Sequence, residues 1–291
     1  MSGVFLSIAQ AHWERYPLME PQDFCKLAYQ SEFGPAHMIQ SPDRVLLGLM
    51  EERKASGTEP KAPEPIGNGL CRFPITQALS TLWELPLLGR MFTRTMALTE
   101  GTAEGLAAKL DQLAALPVPG MGEYLERYRR EGCPSLHHSG TFRNAYDPHY
   151  RVIRQDYACY MPTLASLEKV VRERARRERP ALIAIDGRCG SGKSGFAAVM
   201  DVLVCSSDVV HMDDFYLPWA KRGPDWQDVP AGNMDLERFR REVLTLAGKG
   251  EPGLYRPYDC PNDRLLAPVE LWEPLRIVEG TYSQHPSLAD R

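Results

Sequence analysis

The chain has 291 residues, 43% of them hydrophobic and 25% charged, with a net charge of −4; this is ordinary for a globular protein of about two domains. The acidic balance offers no general attraction to nucleic acid or to an anionic membrane, and no apolar run approaches the roughly 18–20 residues of a membrane span. The seven cysteines are dispersed without a C-x-x-C pair, which points to reduced thiols in a cytoplasmic protein rather than a disulfide framework or a zinc site.

The opening stretch, Met1 to Leu6, lacks a basic region ahead of a long apolar one, so no secretory leader is expected. Residues 1–160 then read as a mainly helical domain. Pro21 suits a first helical turn, Phe24, Leu27 and Ala28 mark an apolar face, and Gly34-Pro35 ends that helix. Ser41-Pro42 reads as a cap leading to Val45, Leu46, Leu49 and Met50. Residues 56–69 are rich in Gly and Pro and read as a loop. Leu106, Leu110 and Leu113 predict another helix, closed by Pro117 to Gly120. His137, His138, His149 and Tyr150 form the most polar and aromatic segment of this half. They read as solvated or core-edge residues rather than metal ligands. The role of this half is left open: acceptor selection, assembly into a homo-oligomer, or a second activity.

A connecting helix is expected within 161–180, capped by Thr163 and carrying Leu164, Leu167 and Val171 as a stripe. Arg172, Arg174, Arg176, Arg177 and Arg179 cluster near its end. Interleaved Glu173 and Glu178, with no aromatic platform nearby, favour a solvated face complementing the helix C-terminus over a nucleic-acid patch.

From residue 181 to 291 strands alternate with helices, which predicts a parallel α/β sheet. Ala181 to Ile185 form a short apolar run suited to a buried strand. Asp208 to Met212 and Leu275 to Val278 are two further strands, with a helix through Leu236, Phe239, Val243 and Leu246. In such sheets ligands bind beyond the carboxyl ends of the strands. The segment after 185, Asp213 and Glu279 all fall there, so they can converge on one crevice.

The segment after the first of these strands reads Gly187-Arg188-Cys189-Gly190-Ser191-Gly192-Lys193-Ser194-Gly195. It fits the G-x-x-x-x-G-K-[S/T] phosphate loop in its strand–loop–helix setting. Gly187, Gly190 and Gly192 allow successive amides to point inward at phosphate oxygens. Ser191 completes the loop, and Lys193, Ser194 and Gly195 open a helix whose N-terminus favours anions. Lys193 would reach the outer phosphates, and Ser194 would offer a hydroxyl to Mg²⁺. Phe196, Val199, Met200 and Leu203 continue as the helix face. Asp213 is the candidate general base for an attacking hydroxyl, with a turn or capping Asp as its plain alternative. Asp214 would face the other way on an extended segment. Glu279 would help hold Mg²⁺. Cys189 reads as a small tolerated residue within the loop.

Residues 181–282 resemble the uridine kinase and phosphoribulokinase group of P-loop small-molecule kinases. The matching pieces are Ile185-Asp186-Gly187 through Lys193-Ser194, Met212 to Tyr216, Arg256-Pro257-Tyr258-Asp259 and Ile277 to Gly280. The resemblance implies a P-loop NTPase-type sheet, ATP or another NTP with Mg²⁺ as donor, and the hydroxyl of a small molecule, commonly a nucleoside, as acceptor. On it Asp213 is the base, and Tyr216, Tyr258 and Arg256 belong to the acceptor site, with Asn233 and Asp235 in a region where the family often places a sugar-binding acid. The family usually carries a His after its Tyr-Asp motif; Tyr258 to Arg264 contains none, which leaves nucleoside specificity open. Family members also continue with further strands, an arginine-bearing lid and an adenine-binding segment. Only Thr281 to Arg291 follow here, so the expectation is a shortened sheet. Two other readings remain: a nucleotide-binding regulatory or interaction protein with little kinase activity, and an NTPase driving a conformational change.

Overall fold

The computed structural model describes residues 4–35, 42–178, 180–204 and 206–288. The expected cap at Ser41 and the last arginine of the basic cluster, Arg179, lie outside the described residues. The chain divides into two units, residues 1–162 and 163–291.

The first unit holds α1 (Val4–Arg15), α2 (Pro21–Phe33), α3 (Pro42–Ala55), β1 (Glu64–Gly67), β2 (Leu70–Pro74), α4 (Glu84–Leu98), α5 (Ala103–Leu113), α6 (Met121–Arg130), α7 (Gly140–Tyr146) and β3 (Tyr150–Arg154). Pro21 opens α2 and Gly34 ends it, as the sequence implies. The segment expected to be a loop at 56–69 instead contains β1, which joins β2 and β3 in an antiparallel sheet with β2 central. Short, proline-flanked β1 gave no alternation to read. It is held by its pairing with β2 and by Ile66, which is fully buried in the core with Phe24, Leu27, Leu110 and Tyr128. Beneath the helices, Lys109 and Glu32 form a buried ion pair. Burial opposes the charge on Glu32, but hydrogen bonds from Lys109 and the Thr102 amide overcome it and hold the carboxyl below its usual range.

The connecting helix, α8 (Gln155–Arg176), includes residues of both units, starts eight residues before the expected Thr163 and carries Pro162 inside it. A proline there removes one hydrogen bond. Tyr157, Ala158, Met161, Leu164 and Ala165 are buried on either side of that point.

The second unit contains β4 (Ala181–Ile185), α9 (Lys193–Leu203), β5 (Asp208–His211), α10 (Leu236–Phe239), α11 (Thr245–Lys249), β6 (Gly253–Tyr255), β7 (Tyr258–Asp259), β8 (Arg264–Leu265), β9 (Val269–Leu271) and β10 (Leu275–Glu279). A wide helical turn over Arg240–Leu244 links α10 to α11. β4, β10 and β5 make a parallel sheet in that order, while β6 pairs with β9 and β7 with β8 in small antiparallel ribbons. β10 is buried along its whole length. β4 is not the fully buried strand expected from its apolar run: Ala181 is buried, but Leu182 is 43% exposed. Among the described residues it has a strand on one side only, so the apolar run reflects one neighbour rather than two.

The core of this unit gathers Val210, Met212, Phe215, Phe239, Val243, Tyr255 and Val278. Phe215 meets Phe239 edge-on at 5.1 Å between ring centres and stacks with Tyr255 at 5.2 Å. This aromatic set sits directly under the turn that carries Asp213. Phe239→Ala, at a fully buried ring, is expected to cost roughly 3–5 kcal/mol. Urea unfolding followed by circular dichroism measures it; a loss under about 1 kcal/mol would mean that the cluster relaxes freely.

Candidate active site

The three parallel strands end in register. Glu279, the last residue of central β10, lies opposite Ile185 on β4 and opposite His211 on β5. The glycine loop leaves β4 and the turn bearing Asp213 leaves β5, so both begin at the edge where Glu279 stands. Glu279 therefore closes its strand rather than following it.

The loop folds tightly at its base. The Gly187 amide donates to Asp186 Oδ1 at 2.6 Å, and the Ser191 amide donates to the Arg188 carbonyl at 3.2 Å. Gly192 occupies the N-cap of α9 with φ of 87°, a backbone conformation that a Cβ disfavours. It supplies no side-chain acceptor, so the first amides of this eleven-residue helix lack a side-chain cap. Lys193 Nζ donates to the Arg188 carbonyl at 3.1 Å, which folds the ammonium back over the loop. That neutral acceptor is weaker than a phosphate oxygen, since hydrogen bonds between charged groups are about twice as strong.

Behind the loop, Ser194 Oγ donates to Glu279 Oε1 at 3.0 Å, and His211 Nδ1 lies 2.6 Å from the same oxygen. Glu279 is 5% exposed. A buried carboxylate is costly unless hydrogen-bonded; these two partners meet that need. Gly280 follows with φ of 138°, and a Cβ there would fall 2.6 Å from Met212 Cβ, so the chain turns where only glycine fits. Beyond it, the Gln284 amide donates to Asp186 Oδ2 at 3.0 Å and Thr281 Oγ1 donates to the Gly187 carbonyl at 3.3 Å. The turn after β10 thus fastens the base of the loop.

Asp213 and Asp214 lie in one turn of 3₁₀-helix, Met212–Phe215, not in an extended segment. Adjacent residues of such a turn point about 120° apart, and this separates the two carboxylates. Asp213 is exposed and accepts from Tyr216 OH at 3.0 Å. Burial, followed by the Asp213 charge, pushes the Tyr216 phenol up to about 12, so it stays a donor. Asp214 turns inward, where Tyr255 OH donates to it at 2.9 Å. Burial raises its pKa, and the Tyr255 hydrogen bond offsets only part of that rise.

The other expected acceptor residues are occupied with local structure. Tyr258 OH donates to Asp263, which together with burial pushes its pKa up to about 12. The Arg256 guanidinium donates to the carbonyls of Leu266 at 2.7 Å and Leu265 at 3.1 Å, tying down the β7–β8 ribbon. Asp235 caps α10 by accepting from the Arg238 amide at 3.0 Å. Cys189 stands exposed within the loop.

Sequence reasoning missed His211 and the Thr281–Gln284 clasp. His211 was legible in principle: it lies near the end of the strand expected over Asp208 to Met212, at the edge where ligands bind in such sheets. For Mg²⁺, Ser194 and Glu279 supply adjacent hard oxygen donors, a set that fits a metal which commonly takes one or two carboxylates together with phosphate and water. Among the described residues no cluster of three or more His, Cys, Asp or Glu forms a metal cage by itself. Among the described residues no helix is long and apolar enough to cross a membrane.

No protein-family model matches this chain, and no curated protein matches it. Among solved structures it is similar to one titled "Structure of a Possible Uridine Kinase from Bacillus stearothermophilus", at 18% identity over 42% of this chain and 76% of that chain, with a TM-score of 0.34. A likeness of that degree carries no weight for function, and the geometry at the strand ends stands by itself.

The raised pKa of Asp214 means that the folded chain holds this proton more tightly than the unfolded chain. Its contribution is full below the ordinary carboxylate value of about 4 and is lost as pH rises through the raised value. Asp214→Asn should therefore unfold at higher urea than the parent at about pH 7, with the difference closing near pH 4. Equal midpoints at both pH values would contradict the assignment.

Proposed function

We propose that the second unit binds a nucleoside triphosphate, ATP or another, on the loop Gly187 to Gly195 and transfers its terminal phosphoryl group to the hydroxyl of a small molecule. The observation that carries this reading is the Ser194–Glu279–His211 contact, which brings the helix start after the loop, the end of β10 and the end of β5 to one point. Phosphoryl transfer asks a protein mainly for positioning and charge stabilisation, and the groups gathered at the strand ends suit both. The amides of the loop and of the first turn of α9 would cradle phosphate oxygens. Lys193 would leave the Arg188 carbonyl for the outer phosphates. Ser194 and Glu279 would hold Mg²⁺, which when bound neutralises charge on the transferring group. Asp213, exposed and two residues beyond His211, would accept the proton of the attacking hydroxyl. Tyr216, donating to Asp213, would keep that carboxylate oriented and fix the edge of the acceptor site. Arg256 and Tyr258 would act by holding the ribbon beside it rather than by touching the acceptor. A nucleoside or related sugar alcohol fits this reading.

The test is a screen with Mg²⁺·ATP and Mg²⁺·GTP across nucleosides, sugars and vitamin alcohols, reading the phosphorylated product. Asp213→Asn is expected to lower kcat by roughly 10²–10⁴ while nucleotide binding persists. Lys193→Ala is expected to abolish thermal stabilisation by nucleotide, which in the parent should reach roughly 2.7 kcal/mol at a hundredfold excess over Kd. Nucleotide binding without any product would assign the unit to nucleotide-dependent regulation instead. No binding at all would overturn the proposal.

A further inference from the structure

The first unit contains a charged interior that the phosphoryl-transfer reading does not use. Arg72, in central β2, is 2% exposed. Its Nε and Nη2 donate to one neutral oxygen, Gln30 Oε1, at 3.0 and 2.9 Å, and its guanidinium lies 4.9 Å from the centre of the Tyr150 ring. Among the described residues no carboxylate stands within ion-pair distance of it. Glu64 is opposite Arg72 across the β1–β2 pairing, yet its carboxylate is engaged by Tyr16 OH and by Arg15 Nε at 3.4 Å.

A second buried cation lies close by. Lys26 is 9% exposed and donates to the Leu136 carbonyl at 2.7 Å. Burial, then the Arg72 charge, lowers its pKa to about 8. The buried carboxylate of this region, Asp23, is already saturated. Its Oδ1 lies 2.8 Å from His138 Nδ1 and accepts from the Ser139 amide at 3.0 Å; its Oδ2 accepts from Ser139 Oγ at 2.7 Å and from the Glu20 amide at 3.0 Å. Burial by itself would raise Asp23, but these hydrogen bonds, His138 first, hold it below the usual range. Burial lowers the His138 imidazole to about 4, so it is neutral and gives its Nδ1 proton to Asp23. Its bare Nε2 then accepts from Tyr150 OH at 2.7 Å.

A buried cation without a counter-charge is strongly unfavourable, and the fold offers Arg72 none. It does offer a cavity. A space of about 370 Å³ is lined by Arg72 and Tyr150, by Tyr16 and Glu64, and at its rim by the exposed Arg15 and Lys61. That volume suits a small metabolite. Three cations face one carboxylate across it. The Tyr150 hydroxyl, whose proton goes to His138, also accepts from Gln30 Nε2 at 3.2 Å, so it is held by the protein and leaves Arg72 as the buried group of the cavity that lacks a charged partner among the described residues.

We propose that this cavity is a second ligand site, one that binds a small anionic molecule, a carboxylate or a phosphate ester, with Arg72 as the buried counter-charge and Arg15 and Lys61 as the entry. The site lies wholly within the first unit and does not depend on the phosphoryl-transfer reading.

Calorimetric titration of the full chain tests it with two probes. Malonate is titrated into the Lys193→Ala chain, because the amides of the glycine loop can also hold a carboxylate. Inorganic phosphate is titrated into the same chain, where the loop is weakened, and the Arg72 and rim variants are made in that background so that any change reports the cavity. Saturable binding of malonate identifies a carboxylate ligand, and of phosphate a phosphoryl ligand; either supports the site. Arg72→Met should weaken that binding at least tenfold, with a thermal midpoint no lower than the parent's in anion-poor buffer. A merely structural arginine would give the opposite pattern, unchanged affinity and a lowered midpoint. Should Arg72→Met fail to fold, the rim double variant Arg15→Gln/Lys61→Gln decides: affinity at least threefold weaker supports the site, and unchanged affinity overturns it. Saturation by neither anion also overturns it.

Discussion

The hydrogen bond between Ser194 and Glu279 is the contact on which the candidate site depends. It joins the first turn of α9 to the end of the central strand, and His211 extends it to the end of β5. Without it the loop would be fastened at its base alone, through Asp186, Thr281 and Gln284. With it, the helix N-terminus is aimed over the edge where the three strands finish. Burial makes the contact strong: in a site of low dielectric a carboxylate needs its donors, and the donors are correspondingly fixed. The same oxygen that meets Ser194 and His211 is the one a cation at the loop would compete for. Loading the site would therefore exchange one set of partners for another, rather than fill an uncommitted space.

A second constraint is the aromatic support under Asp213. Phe215 is fully buried against Phe239 and Tyr255, and Arg238 lies 4.4 Å from its ring centre while donating to the Asp214 carbonyl at 2.8 Å. These contacts set the pitch of a four-residue turn. The turn in turn decides which of two neighbouring carboxylates meets solvent and which meets Tyr255. The placement of the Asp213 carboxylate thus rests on packing several residues away, and on a helix that Asp235 caps.

Much of the second unit was legible because its signals are short-range. A strand ending in a glycine loop, Gly-Lys-Ser at a helix start, and Glu279 at the end of a buried strand each occupy a few consecutive residues. The order β4-β10-β5 was not legible, since pairing between residues 94 positions apart on one side (Leu275 with Ala181) and 68 on the other (Arg276 with Asp208) leaves no local trace. Asp213 and Asp214 do face different ways, as expected, but because the chain makes a 3₁₀ turn there and not the extended segment the sequence suggested. Arg256 and Tyr258 were read as facing an acceptor, and the structure shows their polar atoms engaged with carbonyls and with Asp263. Sequence identifies side chains with suitable chemistry; only packing shows whether that chemistry is still available. In the first unit the loss was greater. β1, β2 and β3 are four or five residues each and carry little alternation, so a mainly helical pattern concealed the sheet.

The same reasoning about buried charge leads in opposite directions in the two units. Glu279 is buried and met by two polar neighbours, and that satisfaction explains why it can persist inside the fold. Asp23 is likewise complete, with four contacts to its two oxygens. Arg72 is as deeply buried as either but meets only the amide oxygen of Gln30 and the face of Tyr150. Removing such a cation from water costs several kcal/mol after relaxation, more than one neutral acceptor returns at about 1.5–3 kcal/mol for a bond to a charged group. An arginine kept only for stability would be better placed beside Glu64, which faces it across the strand pair and is instead committed to Tyr16 and Arg15. The imbalance is resolved if the missing charge arrives with a ligand, and the cavity beside Arg72 is where it would sit.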